Sequence, residues 1–309
     1  MTPMPPVVVA GDVMIELAVP FEQFPQANGT LVLSAAQGDI GGGALNVCWY
    51  LTQLGTPAAL YAFVGSDQAP RLRSVLSGTG IDDRWVREVA VATNTLVMFV
   101  DCGAARSLYL PSVLDGATIA AHRLPLSADA TLVFAGSRSA EIQATVLDQI
   151  EGSEAALIFA PSYALSAMPP PFIERYLRRA SLSYFNRSEA ELIRRLMCVQ
   201  DLGAVAARLD TVIAETLDAD GAVIYTPRET IRVKSYSHSA ENVVGAGDGF
   251  MAGVVSARRA KESWPNAAHF ASLVAAQIVD HRQIRTTLDL VALRSAPLNR
   301  AGFAGEPNS

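Results

Sequence analysis

Glu241-Asn242-Val243-Val244-Gly245-Ala246-Gly247-Asp248-Gly249-Phe250-Met251-Ala252-Gly253 is the stretch that decides how this chain is read. Glycine at 245 and 247 removes side chains, so backbone N–H groups can converge on an anion. The small and apolar residues from Phe250 to Ala257 suit a helix. The glycines then sit at a helix N-terminus, where unpaired N–H groups and the dipole favour phosphate. Asp248 falls in the first turn of that helix. A carboxylate beside bound phosphate is electrostatically awkward unless it has a task, and taking a proton from an attacking hydroxyl fits. A plainer reading stands beside it: the glycines make a turn and Asp248 caps a helix.

Two further segments have the same double character. Gly41-Gly42-Gly43-Ala44-Leu45-Asn46 also opens a helix, and the Asn46 amide suits the hydroxyls of a polar ligand; it also reads as a simple turn. Asn186-Arg187-Ser188-Glu189 follows the apolar run Leu182 to Phe185. At the carboxyl end of a strand, Asn186 and Glu189 suit water-mediated Mg²⁺ binding. The same pair at cap and N3 also reads as a capping box.

Working outward, short β-rich runs alternate with helix-length amphipathic stretches. Strands are expected at 7–10, 58–63, 156–159, 182–185 and 211–214, and helices at 44–54, 140–150 and 188–199. This rhythm predicts an α/β fold, a mainly parallel sheet between two helical layers. Segments of about 13–40 and 93–112 break it with strand-like patches and no helix between. They are expected to form a small antiparallel sheet that acts as a lid. Residues 1–297 are thus one α/β domain with that lid, and 298–309 a polar, frayed tail.

Composition narrows the function classes. The chain has 309 residues, half of them hydrophobic and 17% charged, with a net charge of −6. No basic cluster suits a nucleic-acid backbone. No apolar run approaches the roughly 18 residues that span a bilayer, and Met1 to Pro6 lacks the basic residues of a secretory leader. A cytoplasmic protein without nucleic-acid or membrane partners is expected. Cys48, Cys102 and Cys198 fit no metal or redox spacing and are expected as buried thiols. The four histidines have no ligand spacing. There is no G-x-x-x-x-G-K-S/T loop, no protein-kinase motif set and no G-x-S-x-G elbow. Gly245-Ala246-Gly247 lacks the third glycine of a dinucleotide fingerprint.

Taken together, these segments resemble the ribokinase, or PfkB, family of carbohydrate and nucleoside kinases. The amino-terminal signature resembles Gly41-Gly42, Asn46, Leu51 and Leu54-Gly55. The carboxy-terminal D-T-x-G-A-G-D resembles Asn242 to Asp248. N-x-x-E matches Asn186 to Glu189, and T-L-G-x-x-G resembles Thr216-Leu217-Asp218-Ala219-Asp220-Gly221. A lid G-x-R resembles Gly103 to Arg106, with one extra residue. Order and spacing hold from about Val7 to His281. The Gly-Gly-x-Ala-Leu-Asn and Leu-Asp-x-x-Gly forms look closest to uncharacterised bacterial sugar kinases. The Asn-Val-x-Gly-Ala-Gly-Asp form also resembles some pseudouridine kinases.

The resemblance implies a three-layer αβα sandwich and transfer of the ATP γ-phosphoryl to a sugar hydroxyl, with a nucleoside as the alternative acceptor. It implies Asp248 as base and the Gly245, Ala246, Gly247 and Asp248 backbone as anion hole. Asp12, Glu16, Gly41, Gly42, Asn46 and Arg106 are implied for the acceptor. Asn186, Thr216, Asp218, Gly221, Gly245 and Gly247 are implied for the nucleotide, and Asn186 and Glu189 for Mg²⁺. Family lids pair between subunits, so a homodimer through the lid is compatible. There are three departures. Glu16 stands where aspartate is usual. Asp218 stands where glycine is usual. Asn242 and Val243 replace the Asp and Thr that help bind a monovalent cation, so K⁺ activation is expected to be weak or absent. A non-catalytic binding protein on a kinase fold is the remaining alternative.

Overall fold

Val7–Ala10 is a short run of aliphatic residues, and all four are fully buried. Burial on both sides is what a strand meets inside a parallel sheet covered by two helical layers. In the computed structural model, which describes residues 7–20, 37–101, 104–112, 116–237, 244–281, 285–295 and 306–307, this run is strand β1.

There follow β2 (Met14–Pro20), β3 (Gln37–Gly41), α1 (Gly43–Gln53), β4 (Ala58–Gly65), α2 (Ala69–Leu76), β5 (Val86–Val89), β6 (Asn94–Asp101) and β7 (Ala104–Leu110). The middle of the chain gives α3 (Gly116–Ala121), β8 (Thr131–Phe134), α4 (Ala140–Glu151), β9 (Ala156–Phe159), α5 (Pro170–Arg179), β10 (Leu182–Asn186), α6 (Arg187–Met197), α7 (Leu202–Leu209) and β11 (Val212–Thr216). The last part gives β12 (Ala222–Tyr225), β13 (Glu229–Val233), α8 (Ala246–Arg259), α9 (Trp264–Val279), α10 (Leu290–Ser295) and β14 (Glu306–Pro307).

The main sheet runs β14-β13-β12-β11-β10-β9-β8-β1-β4-β5. From β11 to β5 every neighbouring pair is parallel, and β12, β13 and β14 add antiparallel strands at one edge. Strand alternation divides the core. Val7 and Val9 pack into one layer with Leu45 of α1, Phe250 of α8 and Val274 of α9. Val8 and Ala10 pack into the other with Val146 of α4, Tyr176 of α5 and Val205 of α7. The expected three-layer αβα sandwich is therefore the fold. Strand order reverses at β1, which lies between β4 and β8, so a crevice opens beyond their carboxyl ends. Such a switch point is where α/β sheets bind ligands.

The second sheet has the order β3-β2-β6-β7 and is drawn from the two segments that broke the βα rhythm. It is mixed: β2 pairs antiparallel with β3, and β6 with β7, but β2 and β6 are parallel. The two hairpins are separated in sequence by α1, β4, α2 and β5, and the chain re-enters the small sheet in the direction of β2. Its β3 edge is tied to the body through Asp39, which pairs with Arg71 at 3.4 Å and Arg285 at 2.6 Å. Cys48 is buried as expected, whereas Cys198 is exposed in a left-handed residue that closes α6. Cys102 and Gly103 lie outside the described residues, as does the tail apart from Glu306–Pro307.

Candidate active site

Helix α8 begins at Gly245, which takes the cap position with a left-handed backbone and offers no capping side chain. The first intrahelical bond runs from Gly249 N–H to Gly245 O at 2.9 Å. The N–H groups of Ala246, Gly247 and Asp248 precede it in the first turn, the part of a helix that attracts anions.

These residues form the floor of a cavity of about 460 Å³ between the carboxyl ends of the main sheet and the small sheet. Met14, Glu16, Leu96 and Met98 reach it from β2 and β6. On the opposite side are Thr216 at the end of β11, Asn186 at the end of β10 and α9. Its described wall carries four carboxylates, Glu16, Glu189, Asp218 and Asp248, and no lysine, arginine or histidine.

Asp248 is half-buried on this floor, and its Oδ2 accepts a hydrogen bond from Asn46 Nδ2 at 2.9 Å. Burial pushes its pKa up to about 7, helped by the negative charges of Glu16 and Glu189, while the Asn46 bond opposes the shift. A carboxylate poised near neutrality is well matched to a general base. Asn46 enters from the first turns of α1. That helix opens at Gly42, whose φ of 106° excludes other residues and whose added Cβ would collide with the Asp12 carbonyl.

Gly42 N–H donates to Glu16 Oε1 at 2.9 Å. Burial raises the Glu16 pKa, and this backbone bond and Arg285 partly offset it. Glu16 Oε2 and Asn46 Oδ1 are buried acceptors without a donor among the described residues. Buried polar atoms ordinarily find partners, so a pair of orphan acceptors beside Asp248 is suited to ligand hydroxyls.

At the other end, Asn186 and Glu189 form a capping box on α6. The Asn186 oxygen accepts from Glu189 N–H at 2.9 Å, and Glu189 Oε2 from Asn186 N–H at 3.0 Å. Both also line the cavity, so capping α6 leaves the pair facing the space a ligand would fill. Burial lifts the Glu189 pKa to about 7 against the hydrogen bonds from Asn186.

Asp218 sits in the left-handed backbone region that glycine enters freely: its φ is 55°. Aspartate is among the few residues that tolerate this region. Its side chain is exposed and lies 3.6 Å from Arg187, which also binds Asp220 at 2.7 Å. Gly221 has a φ of 88°, and a Cβ there would collide with the Val233 carbonyl.

Of the residues singled out in the sequence, Glu16, Asn46, Asn186, Glu189, Thr216, Asp218, Gly221 and Gly245 to Asp248 thus share one cavity. Gly41 and Gly42 lie behind Glu16 rather than on the wall. Asp12 faces a second cavity of about 230 Å³. Its Oδ2 accepts from Tyr163 at 2.6 Å, Tyr109 at 2.8 Å and Arg138 N–H at 3.3 Å. Asp12 thereby ties β7 of the small sheet to the body. Arg106 lies on β7 opposite Phe99, and its side chain is outside the described residues, as are Asn242 and Val243.

Sequence reading missed Tyr184, Tyr163 and the contribution of α9. Tyr184 lies two residues before Asn186 on β10, so strand periodicity alone brings both toward the same side. Nothing local marks Ser272 or Ala276 of α9, which reach the cavity only through tertiary packing.

The pfkB family carbohydrate kinase model matches residues 4–290, and the chain belongs to that family. It is a phosphotransferase with an alcohol group as acceptor. It is 23% identical over 284 residues to a nucleoside kinase of Methanothermobacter thermautotrophicus, across 90% of each chain. It is 27% identical over 287 residues to a D-beta-D-heptose 7-phosphate kinase of Bordetella bronchiseptica, across 86% of this chain and 88% of the other. In fold it is similar to the Burkholderia thailandensis nucleoside kinase solved in complex with inosine. The TM-score is 0.79 at 19% identity, covering 91% of this chain and 93% of that one.

No helix among the described residues is long and apolar enough to cross a membrane.

Proposed function

We propose that this chain transfers the terminal phosphoryl group of ATP to a hydroxyl of a small carbohydrate, with Asp248 as general base. The observation that carries the reading is the position of Asp248. It stands in the first turn of α8, is held by Asn46 at 2.9 Å, and has a pKa near neutrality. The acceptor hydroxyl faces Asp248 and gives up its proton as its oxygen attacks phosphorus in line. The N–H groups of Ala246, Gly247 and Asp248 stabilise charge on the transferred group. Glu16 Oε2 and Asn46 Oδ1 accept hydrogen bonds from other acceptor hydroxyls and fix its orientation. The small sheet covers the reaction and keeps out competing water.

Mg²⁺ fits this wall, because its described residues carry four carboxylates and no cationic side chain to offset a bound triphosphate. Asn186 and Glu189 would hold the ion through water, and when bound it supplies charge neutralisation to the phosphates.

One observation favours a nucleoside as the acceptor. Met14, Leu96 and Met98 give the small-sheet side of the cavity an apolar wall. A free sugar would leave hydroxyls unpaired against it, whereas a flat heterocyclic base buries there at little cost. A homodimer joined through the small sheets is supported by Leu108 and Leu110, which stand exposed on the edge strand β7; light scattering of the purified chain tests it. The decisive assay for function is ADP release with Mg-ATP against a panel of sugars and nucleosides. Turnover confined to nucleosides selects the second acceptor class. Absence of turnover with every acceptor and with water would leave a binding protein and refute the kinase reading.

A further inference from the structure

A cavity that takes a nucleotide must satisfy several phosphate oxygens, and here no described side chain on its wall is cationic. Among the described residues, the groups left to donate to the phosphates are backbone N–H groups, hydroxyls and the Asn46 and Asn186 amides. One hydroxyl is placed for this. Tyr184, on β10, is largely buried and lines the cavity. Its oxygen lies against the first turn of α8: a Cβ added to Gly247 would come within 2.9 Å of it. The ring is backed by Phe250, with centroids 6.1 Å apart.

The hydroxyl donates to Thr216 Oγ1 at 3.3 Å. That is long for an O–H···O bond, which is typically about 2.7–2.8 Å, so the present partner is easily exchanged. Burial raises the Tyr184 pKa well above its ordinary value, and the charges of Glu189, Asp248 and Asp218 reinforce this. The phenol thus stays protonated and keeps its donor.

We propose that Tyr184 is a phosphate-contacting residue, whose hydroxyl turns from Thr216 to donate to a non-bridging oxygen of the nucleotide's β-phosphate beside the N-terminus of α8. The Thr216 hydroxyl then donates to the Tyr184 oxygen, so both hydroxyls stay satisfied and the phenol becomes a better donor. This rests on the kinase reading above. It adds a neutral donor that no glycine-rich motif signals, in a place where a cation would be drawn to Asp248 and Glu189.

The test is calorimetric titration of the full chain and of Tyr184→Phe with Mg-ADP and with AMP, alongside steady-state kinetics. The substitution removes one oxygen and leaves the ring against Phe250. A hydrogen bond to a charged group corresponds to roughly a tenfold loss or more. Mg-ADP affinity is expected to fall by about that factor, AMP affinity to stay within twofold, and the acceptor KM to be unchanged. Equal ADP affinity in both proteins, or an equal loss for AMP and ADP, overturns the proposal. Should Tyr184→Phe fail to fold, Tyr184→Met, which also lacks the hydroxyl but fills the space against Phe250, reads the same selective loss for ADP, and its absence again overturns the proposal. A wild-type chain that binds neither ATP nor ADP fails earlier, and refutes the kinase reading itself.

Discussion

Replacing Asp248 by asparagine should make this protein more stable, and only above a defined pH. In the folded chain the Asp248 pKa is raised from 3.8 to about 7, chiefly by burial. Below pH ~4 the carboxyl is protonated in both folded and unfolded chains and contributes no pH-dependent difference. Between about pH 4 and 7 the folded state holds a proton that the unfolded state has released, so wild-type stability falls as pH rises. Above about 7 both states are ionised and the loss is complete.

A shift of three pKa units corresponds to about 4 kcal/mol at most. The expected difference between variant and wild type above about pH 7 is therefore about 3–4 kcal/mol. The amide oxygen introduced by Asp248→Asn retains the hydrogen bond from Asn46, so the neutral side chain escapes the penalty without leaving that donor unpaired. Glu16 and Glu189 titrate in both proteins and cancel to first order in the comparison. In a chain of this length, about 3–4 kcal/mol moves the melting temperature by roughly 5 degrees. Scanning calorimetry from pH 4 to 8.5 is expected to show a difference that opens through pH 5–7, with the variant higher at the alkaline end. A pH-independent difference, or a variant less stable at pH 8, would refute the claim that Asp248 ionises at a cost.

Three further outcomes follow from the same site. kcat/KM is expected to rise about tenfold per pH unit below 7 and then level off, as the free enzyme's base ionises; a flat profile from pH 5 to 9 speaks against Asp248. Glu16→Gln keeps an oxygen for Gly42 N–H but puts an NH₂ donor where Oε2 accepts. The acceptor KM is expected to rise about tenfold in initial-rate assays with the ATP KM within twofold, and equal rises in both would remove Glu16 from the acceptor side. Gly221→Ala forces a β-carbon into the Val233 carbonyl at a φ of 88° and should cost about 2–3 kcal/mol in urea unfolding.

Much of this architecture was legible in the chain because its signals are local. The aliphatic run at Val7–Ala10 reads as a strand buried on both faces, and Gly245-Ala246-Gly247 reads as a helix start. Asn46, Asn186, Glu189, Thr216 and Asp248 converge because each lies at or just beyond a strand's carboxyl end or in the first turns of a helix, and Glu16 joins them from near the start of β2 in the small sheet. What was not legible depends on tertiary contact. The parallel pairing of β2 with β6 joins segments separated by a βαβ excursion. Tyr184 looked like one apolar residue of a buried strand, and only the approach of α8 gives its hydroxyl a setting. Asp12 was read with the acceptor residues, yet two tyrosines from distant segments occupy its Oδ2 and turn it into an anchor for the small sheet. The Asn186–Glu189 pair carried two readings in sequence, and the capping box and the cavity wall accommodate both.

Turnover by Asp248→Asn, once the acceptor is found, tests the central claim most directly. General-base catalysis accounts for about 10²–10⁴ in rate, so kcat is expected to fall by at least two orders of magnitude while ATP and acceptor dissociation constants stay within a few-fold. A variant that turns over within tenfold of wild type would show that another group accepts the proton.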